Sequence, residues 1–342
     1  MKLIFDINGG DNREEIIKGA LDASNEFNTD IILVGEKNYA EEILSRLDYN
    51  ENKIQIIDAP DNIENNEDPA FAIRKKKNSS IVVALNLLKE NKDCAFISAG
   101  STGALLAGGL FIVGRIKGIK RGVLPVLLPG VNSKTMLIDS GANMDTDPEL
   151  LMQFAELGKI FLESHYQIND PKIGLLNVGS EEGKGNNLAK ETYKLLKESK
   201  LNFYGNIEAR DITDNECDLV ICDGFDGNIL LKSIEGIVGF LVNIIFSEVE
   251  KSKFDDDLKL KLINMIKLQL KNLDSEEVGG TILLGIDGNI IKAHGSSNSL
   301  AIKNAAKYAL DVGKNDVINK IKLRIGDEWS ERRNFKINSW RI

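Results

Sequence analysis

Six times along the chain an apolar run ends on a polar side chain with glycine close behind it. The runs are Leu3-Ile4-Phe5 into Asp6, Ala95-Phe96-Ile97 into Ser98, and Met136-Leu137-Ile138 into Asp139. Gly174-Leu175-Leu176 into Asn177, Val220-Ile221-Cys222 into Asp223, and Ile290-Ile291-Lys292-Ala293 into His294 complete the set. Strands of a helix-covered parallel sheet are buried on both faces and read as continuous apolar runs, so the polar residue at each exit faces the crevice where such folds bind ligands.

Between the runs the apolar spacing turns helical. The pattern predicts strands at 2–7, 31–35, 53–58, 94–98, 134–139, 172–177, 203–207, 218–223 and near 289–293. It predicts helices at 13–26, 38–47, 79–90, 102–115, 148–164, 186–199, 228–250 and about 298–324. Alternation of this kind means βαβ units and a mostly parallel α/β sheet. The polar stretch 61–67 and the turn at Asp255-Asp256-Asp257 read as loop insertions rather than boundaries, so 1–342 is taken as one domain with a helical excursion near 240–275.

That excursion carries more apolar surface than one packed side uses. Leu258, Leu262, Met265, Ile266 and Leu273 form a stripe that Ile263 and Leu270 widen, with Lys259, Lys261, Lys267 and Lys271 interspersed. Two readings stay open: a helix buried on a partner subunit, or one that lies on anionic lipid.

Composition narrows the function. With 42% hydrophobic and 28% charged residues, and no stretch of eighteen or so uninterrupted apolar residues, the chain reads as an ordinary globule rather than an integral membrane protein. Met1-Lys2 leads directly into a strand without the layout of a signal peptide, which points to the cytoplasm. A net charge of −9 argues against general nucleic-acid binding, so an anionic partner must meet a local patch such as Arg74-Lys75-Lys76-Lys77 or Arg115-Lys117-Lys120-Arg121. Cys94, Cys217 and Cys222 are scattered, and His165 and His294 are the two histidines, so neither a metal site nor a disulfide is expected.

The exits supply the candidate chemistry. In Asp6-Ile7-Asn8-Gly9-Gly10-Asp11 the paired glycines suit an anion approaching backbone N–H groups, and equally a tight strand-to-helix turn. Ser98-Ala99-Gly100-Ser101-Thr102-Gly103 opens a helix whose hydroxyls either cap it or hold a phosphate at its positive end. Asn177 to Gly185 resembles a P-loop but is one residue short, with Gly185 where the magnesium-holding hydroxyl belongs, and Lys184 remains as a cation on open backbone. Asp223-Gly224-Phe225-Asp226-Gly227-Asn228 begins a helix that carries Lys232 and Glu235 on its first turns. Asp139 to Asn143 and His294-Gly295-Ser296-Ser297 complete the set, with His294 either an acid or base or a hydrogen-bonded structural group. No Gly-x-Gly-x-x-Gly follows the first strand and no acyl-enzyme elbow is present, so no nucleotide cofactor is expected.

In this order the motifs resemble the phosphate acyltransferase family of bacterial phospholipid synthesis, the PlsX type. The match runs through Asp6–Asp11, Ala72-Ile73-Arg74-Lys75-Lys76 with Ser79-Ser80, Ser98–Leu105, Gly141-Ala142-Asn143, Leu175-Leu176-Asn177 with Lys184-Gly185, and Phe203–Glu208. It closes with Asp223-Gly224-Phe225, Gly227-Asn228 and Ala293-His294-Gly295-Ser296-Ser297. Asn8, Ser101 and Asp226 stand where the family usually has methionine, asparagine and threonine.

The resemblance implies a Rossmann-like three-layer α/β/α sandwich related to phosphotransacetylases and isocitrate-dehydrogenase-like enzymes. It implies transfer of a long fatty acyl group from acyl carrier protein to inorganic phosphate, and delivery of the acyl phosphate to a membrane-bound glycerol-3-phosphate acyltransferase. A homodimer without cofactor, loosely attached to the inner face of the cell membrane, is also implied. Phosphate is the nucleophile in such a reaction, and a thiol of pKa about 8.5 leaves readily, so the enzyme needs a phosphate cradle, oxyanion donors and an oriented thioester. Lys184, Ser98, Ser101 and Thr102 are the expected cradle, and Asn143, Asn177 or Asn228 the expected donors. Gly9, Gly10, Asp11, Gly100, Gly103, Gly227, Lys232 and Ser296 are expected to line the substrate. Asp6 and Asp223 orient these groups, His294 meets phosphate or the leaving thiol, and Arg74 or Arg115 receives the acidic carrier protein. The alternatives are a phosphotransacetylase acting on short acyl-CoA and a non-catalytic scaffold on a lipid surface.

Overall fold

The computed structural model describes residues 1–130, 133–271 and 279–325, with the side chains of 268–271 excepted. The strand exits divide between two sheets. The first has the order β10 (Thr281–Ile282), β11 (Asn289–Lys292), β4 (Cys94–Ser98), β1 (Lys2–Asp6), β2 (Ile31–Gly35), β3 (Ile54–Asp58), parallel except for β10 against β11. The second has the order β5 (Val126–Pro129), β6 (Lys134–Ile138), β9 (Leu219–Ile221), β7 (Ile173–Asn177), β8 (Phe203–Glu208), parallel except for β5 against β6. This is the α/β sandwich that the alternation requires. Its division into two sheets is not visible in the pattern, because an apolar run records burial and not its neighbour.

Helices cover both faces of the first sheet. On one side α1 (Arg13–Phe27) packs on α10 (Ser299–Lys314); on the other lie α4 (Ser80–Glu90) and α5 (Thr102–Gly108), whose apolar faces join Ile4, Val34 and Phe96 in one cluster. The second sheet is covered by α6 (Pro148–Phe161) and α7 (Asn187–Lys197). A continuous apolar cluster containing Phe5, Ile97, Ile138, Phe154 and Ile221 joins the two sheets.

Several elements depart from the sequence reading. The seven-residue α3 (Pro69–Lys75) was not expected; Asp68 caps it by accepting the Phe71 N–H, and Pro69 opens it. Strand β5 follows Pro125 and ends on Pro129, which hide it, and it occupies a sheet edge where proline is tolerated. The closing helix breaks at Asn315–Asp316, where Asp316 takes φ +53°, and resumes over 317–325.

The excursion is a pair of helices, α8 (Gly224–Lys251) and α9 (Asp256–Lys271); its expected end at 272–275, like Leu273, lies outside the described residues. By length and composition α8 qualifies as a membrane span, with an 18-residue window of mean hydropathy 2.0, none of it buried in this chain. Counting uninterrupted apolar residues missed it, since Lys232, Glu235 and Asn243 break the run. Ile237, Phe240, Leu241, Ile244 and Ile245 are exposed on α8, as are Leu258, Leu260 and Met265 on α9.

Candidate active site

Strands β1, β4 and β11 run parallel and in register, which brings Asp6, Ser98 and Lys292 to the same sheet edge. The Asp6 carboxylate is fully buried there. It accepts the N–H groups of Asn8 at 3.1 Å and Gly9 at 3.0 Å, and the Ser98 hydroxyl donates to it at 2.7 Å. Burial pushes Asp6 above the usual carboxylate range, against these donors and the adjacent Ser80 hydroxyl. Ser98 Oγ also accepts the Gly100 N–H at 3.0 Å, so the hydroxyl expected to cradle phosphate ties two strand exits together instead.

Gly9 is required by this crossing: a Cβ there would lie 2.5 Å from Asp6 Oδ2 and 2.7 Å from the Gly100 nitrogen. Gly10 takes φ +85° against Ala99, and the Asp11 N–H donates to the Gly295 carbonyl at 2.8 Å. The β1, β4 and β11 exit loops therefore form one unit. His294 lies exposed on it; its Nδ1 accepts the Ser296 N–H at 3.3 Å and is 2.9 Å from Ser296 Oγ. With Nδ1 accepting from Ser296, Nε2 is the ring nitrogen left to donate. Ser101 caps α5 by accepting the Ala104 N–H at 3.4 Å, leaving Thr102 on the first turn, and Gly103 admits Pro69 of α3. Asn8 is held within the first edge, donating to Ala59 O and accepting from Arg13 and from the Glu36 N–H.

The second sheet builds a matching edge. Asp139 is buried, and its carboxylate accepts N–H groups from Leu124, Gly141, Ala142 and Asn143 and the Asn143 Nδ2 at 2.9 Å. Burial pushes Asp139 up despite these donors. Asn143 Nδ2 also donates to Gly122 O at 2.9 Å, so its two amide protons are committed and it holds the loop rather than facing a substrate. Helix α8 starts directly on this loop: Gly224 N donates to Asn143 O at 2.7 Å, and a Cβ on Gly227 would stand 1.9 Å from Asp139 O. Gly227 thus serves close approach, not ligand contact. Asp223 caps α8 through the Asp226 N–H at 2.8 Å, and burial together with the Asp223 charge raises Asp226.

Asn228 reaches over Gly141, which takes φ +135°, and its carboxamide has no partner among the described residues. Lys232, one turn further along α8, is exposed and equally unpaired among them. Asn177 donates to Lys184 O at 3.2 Å and accepts the Val178 N–H at 2.8 Å, which shapes the 177–185 loop. Asn206 Nδ2 pins that loop through Glu181 O at 2.8 Å, and the Lys184 ammonium stays exposed without a described partner.

One segment connects the two edges. Val123 bridges Leu284 beside β10, Leu124 N donates to Asp139 Oδ1, Ser140 N returns to Leu124 O, and Ala142 packs on the first sheet's core. Arg74 lies exposed with its guanidinium 5.1 Å from the Phe111 ring, while Lys76 pairs with Glu67 at 2.6 Å and Lys120 with Glu149 at 2.8 Å. Arg115 is exposed and donates to Lys120 O. The sequence places Asp139 among the strand exits without assigning it a role, and it assigns none to Lys292. The position of Asp139 at a strand exit was the available signal, whereas Lys292 was hidden inside an apolar run.

No cysteine offers a thiolate here: burial drives Cys222 far up, Cys217 to about 12, and Cys94 upward.

The architecture is that of the phosphotransacetylases. A phosphotransacetylase from Streptococcus pyogenes superimposes with TM-score 0.57 at 18% identity, covering 92% of this chain and 94% of that one. A branched-chain phosphotransacylase from Enterococcus faecalis gives 0.53 at 13% identity, covering 91% and 98%. Sequence similarity is far stronger elsewhere. Residues 1–320 match the family model described as "Fatty acid synthesis protein". The phosphate acyltransferase of Clostridium acetobutylicum is 46% identical over 95% of this chain and 99% of its own, and that of Caldanaerobacter subterraneus 47% identical over 96% and 100%. The chain belongs to the phosphate acyltransferase family, and it is an enzyme that transfers an acyl group to phosphate.

Proposed function

We propose that the donor is a long-chain fatty acyl thioester of acyl carrier protein and that the product is an acyl phosphate for phospholipid synthesis. The observation behind direct attack by phosphate is that the hydroxyl and the thiol set into the strand exits, Ser98 and Cys222, are both withheld. The Ser98 hydroxyl proton is committed to Asp6, and the Cys222 thiol is buried and protonated. An oxygen of hydrogenphosphate then bonds to the acyl carbon as the carbon–sulfur bond breaks. The electron pair leaves on sulfur, which takes up the proton that phosphate gives up. Asn228 donates to the developing oxyanion, Lys184 and Lys232 hold phosphate charge, and His294 Nε2 donates to phosphate or to the departing sulfur. Asp6 and Asp139 act through the loops they brace.

A carrier protein as donor is supported by the rim of α3. Phe71 and Phe111 are 63% and 51% exposed, with Lys75 and Arg74 set against their rings, an apolar and basic surface that suits an acidic partner. The exposed face of α8 calls for cover, and a second copy of the chain is the proposed cover for it. An anionic membrane is the proposed contact for Lys259, Lys261 and Lys267 of α9, and on this reading the enzyme is cytoplasmic and hands its product to a membrane-bound glycerol-3-phosphate acyltransferase.

Turnover of palmitoyl carrier protein and of acetyl- and palmitoyl-CoA, each with and without phosphate, tests this reading. It predicts preference for the carrier thioester. Faster use of acetyl-CoA makes the enzyme a phosphotransacetylase, and equal use of palmitoyl-CoA removes the carrier protein as the required donor.

A further inference from the structure

The edge shared by Asp6 and Ser98 carries a positive charge that none of these roles uses. Lys292 is the last residue of β11 and lies in register with Ser98. Its ammonium folds over the neighbouring exit, donating to Ala99 O at 3.5 Å and to the carbonyl of Ala293. It forms no ion pair among the described residues, although Asp6 on β1 and Asp11 on the following turn are close enough for their charges to act on it. The other packed elements add no compensating charge: β4 presents Ser98, β10 presents Thr281, and α10 buries Ala301, Ile302 and Ala305. His294 is the remaining titratable group, two residues along the chain.

A lysine desolvated against two backbone carbonyls, with carboxylates near but not paired, is costly unless something anionic completes its shell. An ammonium has three N–H groups, and the two carbonyls take two of them. We infer that Lys292 binds the acceptor phosphate, directing its third N–H at a phosphate oxygen held beside the Gly9–Asp11 and Gly100–Thr102 turns. The inference rests on the acceptor chemistry proposed above and adds to it the residue that holds phosphate at the first edge. Lys292 binds here and transfers no proton. Because burial lowers this ammonium to about 8, its charge is present at neutral pH and is lost as the medium turns alkaline, so phosphate binding weakens with it.

Equilibrium dialysis of radiolabelled inorganic phosphate against the full-length protein, from about pH 6.5 to pH 9.5, provides the test. Lys292→Met is expected to bind phosphate at least about tenfold more weakly at neutral pH, the effect of losing one charged hydrogen bond. Lys292→Arg keeps its charge throughout, so it is expected to bind near the wild-type level at neutral pH and to lose the alkaline decline that wild type shows. Lys292→Met binding within about twofold of wild type overturns the assignment. So does a Lys292→Arg profile that falls in parallel with wild type, a comparison that stands even where the methionine variant fails to fold. Wild-type protein that binds no phosphate at any pH overturns the acceptor reading itself, a different outcome from unchanged binding in the variants.

Discussion

The Ser98 hydroxyl donates to Asp6 Oδ2 at 2.7 Å across neighbouring parallel strands, which makes the two exits one rigid unit. Ser98→Ala removes a donor from a buried carboxylate and is expected to cost on the order of 1–3 kcal/mol in urea unfolding. Activity should fall with it, because the Gly9 and Gly100 turns are no longer held together.

Asp6 predicts a pH dependence of stability. Its pKa is raised in the folded state, so the native protein binds more protons than the unfolded chain between the ordinary carboxylate value and the raised one. Stability contributed at this site is therefore present at low pH and lost as pH rises through the folded pKa. Asp6→Asn is expected to gain stability relative to wild type on going from acid to neutral pH, measured as urea midpoints across that range. A difference that does not change with pH contradicts the burial argument.

Gly227 tests how closely α8 must approach the Asp139 loop. With only 1.9 Å between a new Cβ and Asp139 O, Gly227→Ala is expected to destabilise by about 3 kcal/mol or more and to abolish turnover, since Asn228 moves with the helix. Gly183→Ala, which meets nothing within 4 Å, is expected to stay within about 0.5 kcal/mol of wild type.

Asn228→Ala removes the proposed oxyanion donor without disturbing any bond among the described residues. It is expected to lower kcat by roughly a hundredfold or more, leaving the melting temperature unchanged and the KM for phosphate little altered. Lys184→Ala is expected to act in the opposite sense, raising KM for phosphate more than it lowers kcat.

For the excursion, Phe240→Glu with Ile244→Glu places two charges on the exposed face of α8. Sedimentation should show these variants as monomers while the wild type is dimeric. A wild type that sediments as a monomer removes the proposed cover for that face.

How much of this was legible in the chain follows from what burial writes into a sequence. The exits at Asp6, Ser98, Asn177 and Asp223 stood out because strands buried on both faces are apolar until the ligand edge. Partners were not legible. Asn143 reads as a free amide until Gly122 O, contributed from 21 residues earlier, is seen to take one of its protons. Lys292 sits between apolar residues, where a lysine looks like a strand's solvent face, and only its register with Ser98 places it at the site. The antiparallel strands β5 and β10, which end the two sheets, were not legible either, since one closes on a proline and the other is two residues long, too slight to show in any periodicity.

The most direct test of the central claim, that phosphate itself attacks the thioester, is to follow radiolabelled phosphate during turnover of a long-chain acyl carrier protein. Label should enter acyl phosphate in step with release of the carrier thiol, and thioester should persist when phosphate is left out. Release of free fatty acid at the same rate with and without phosphate would contradict it.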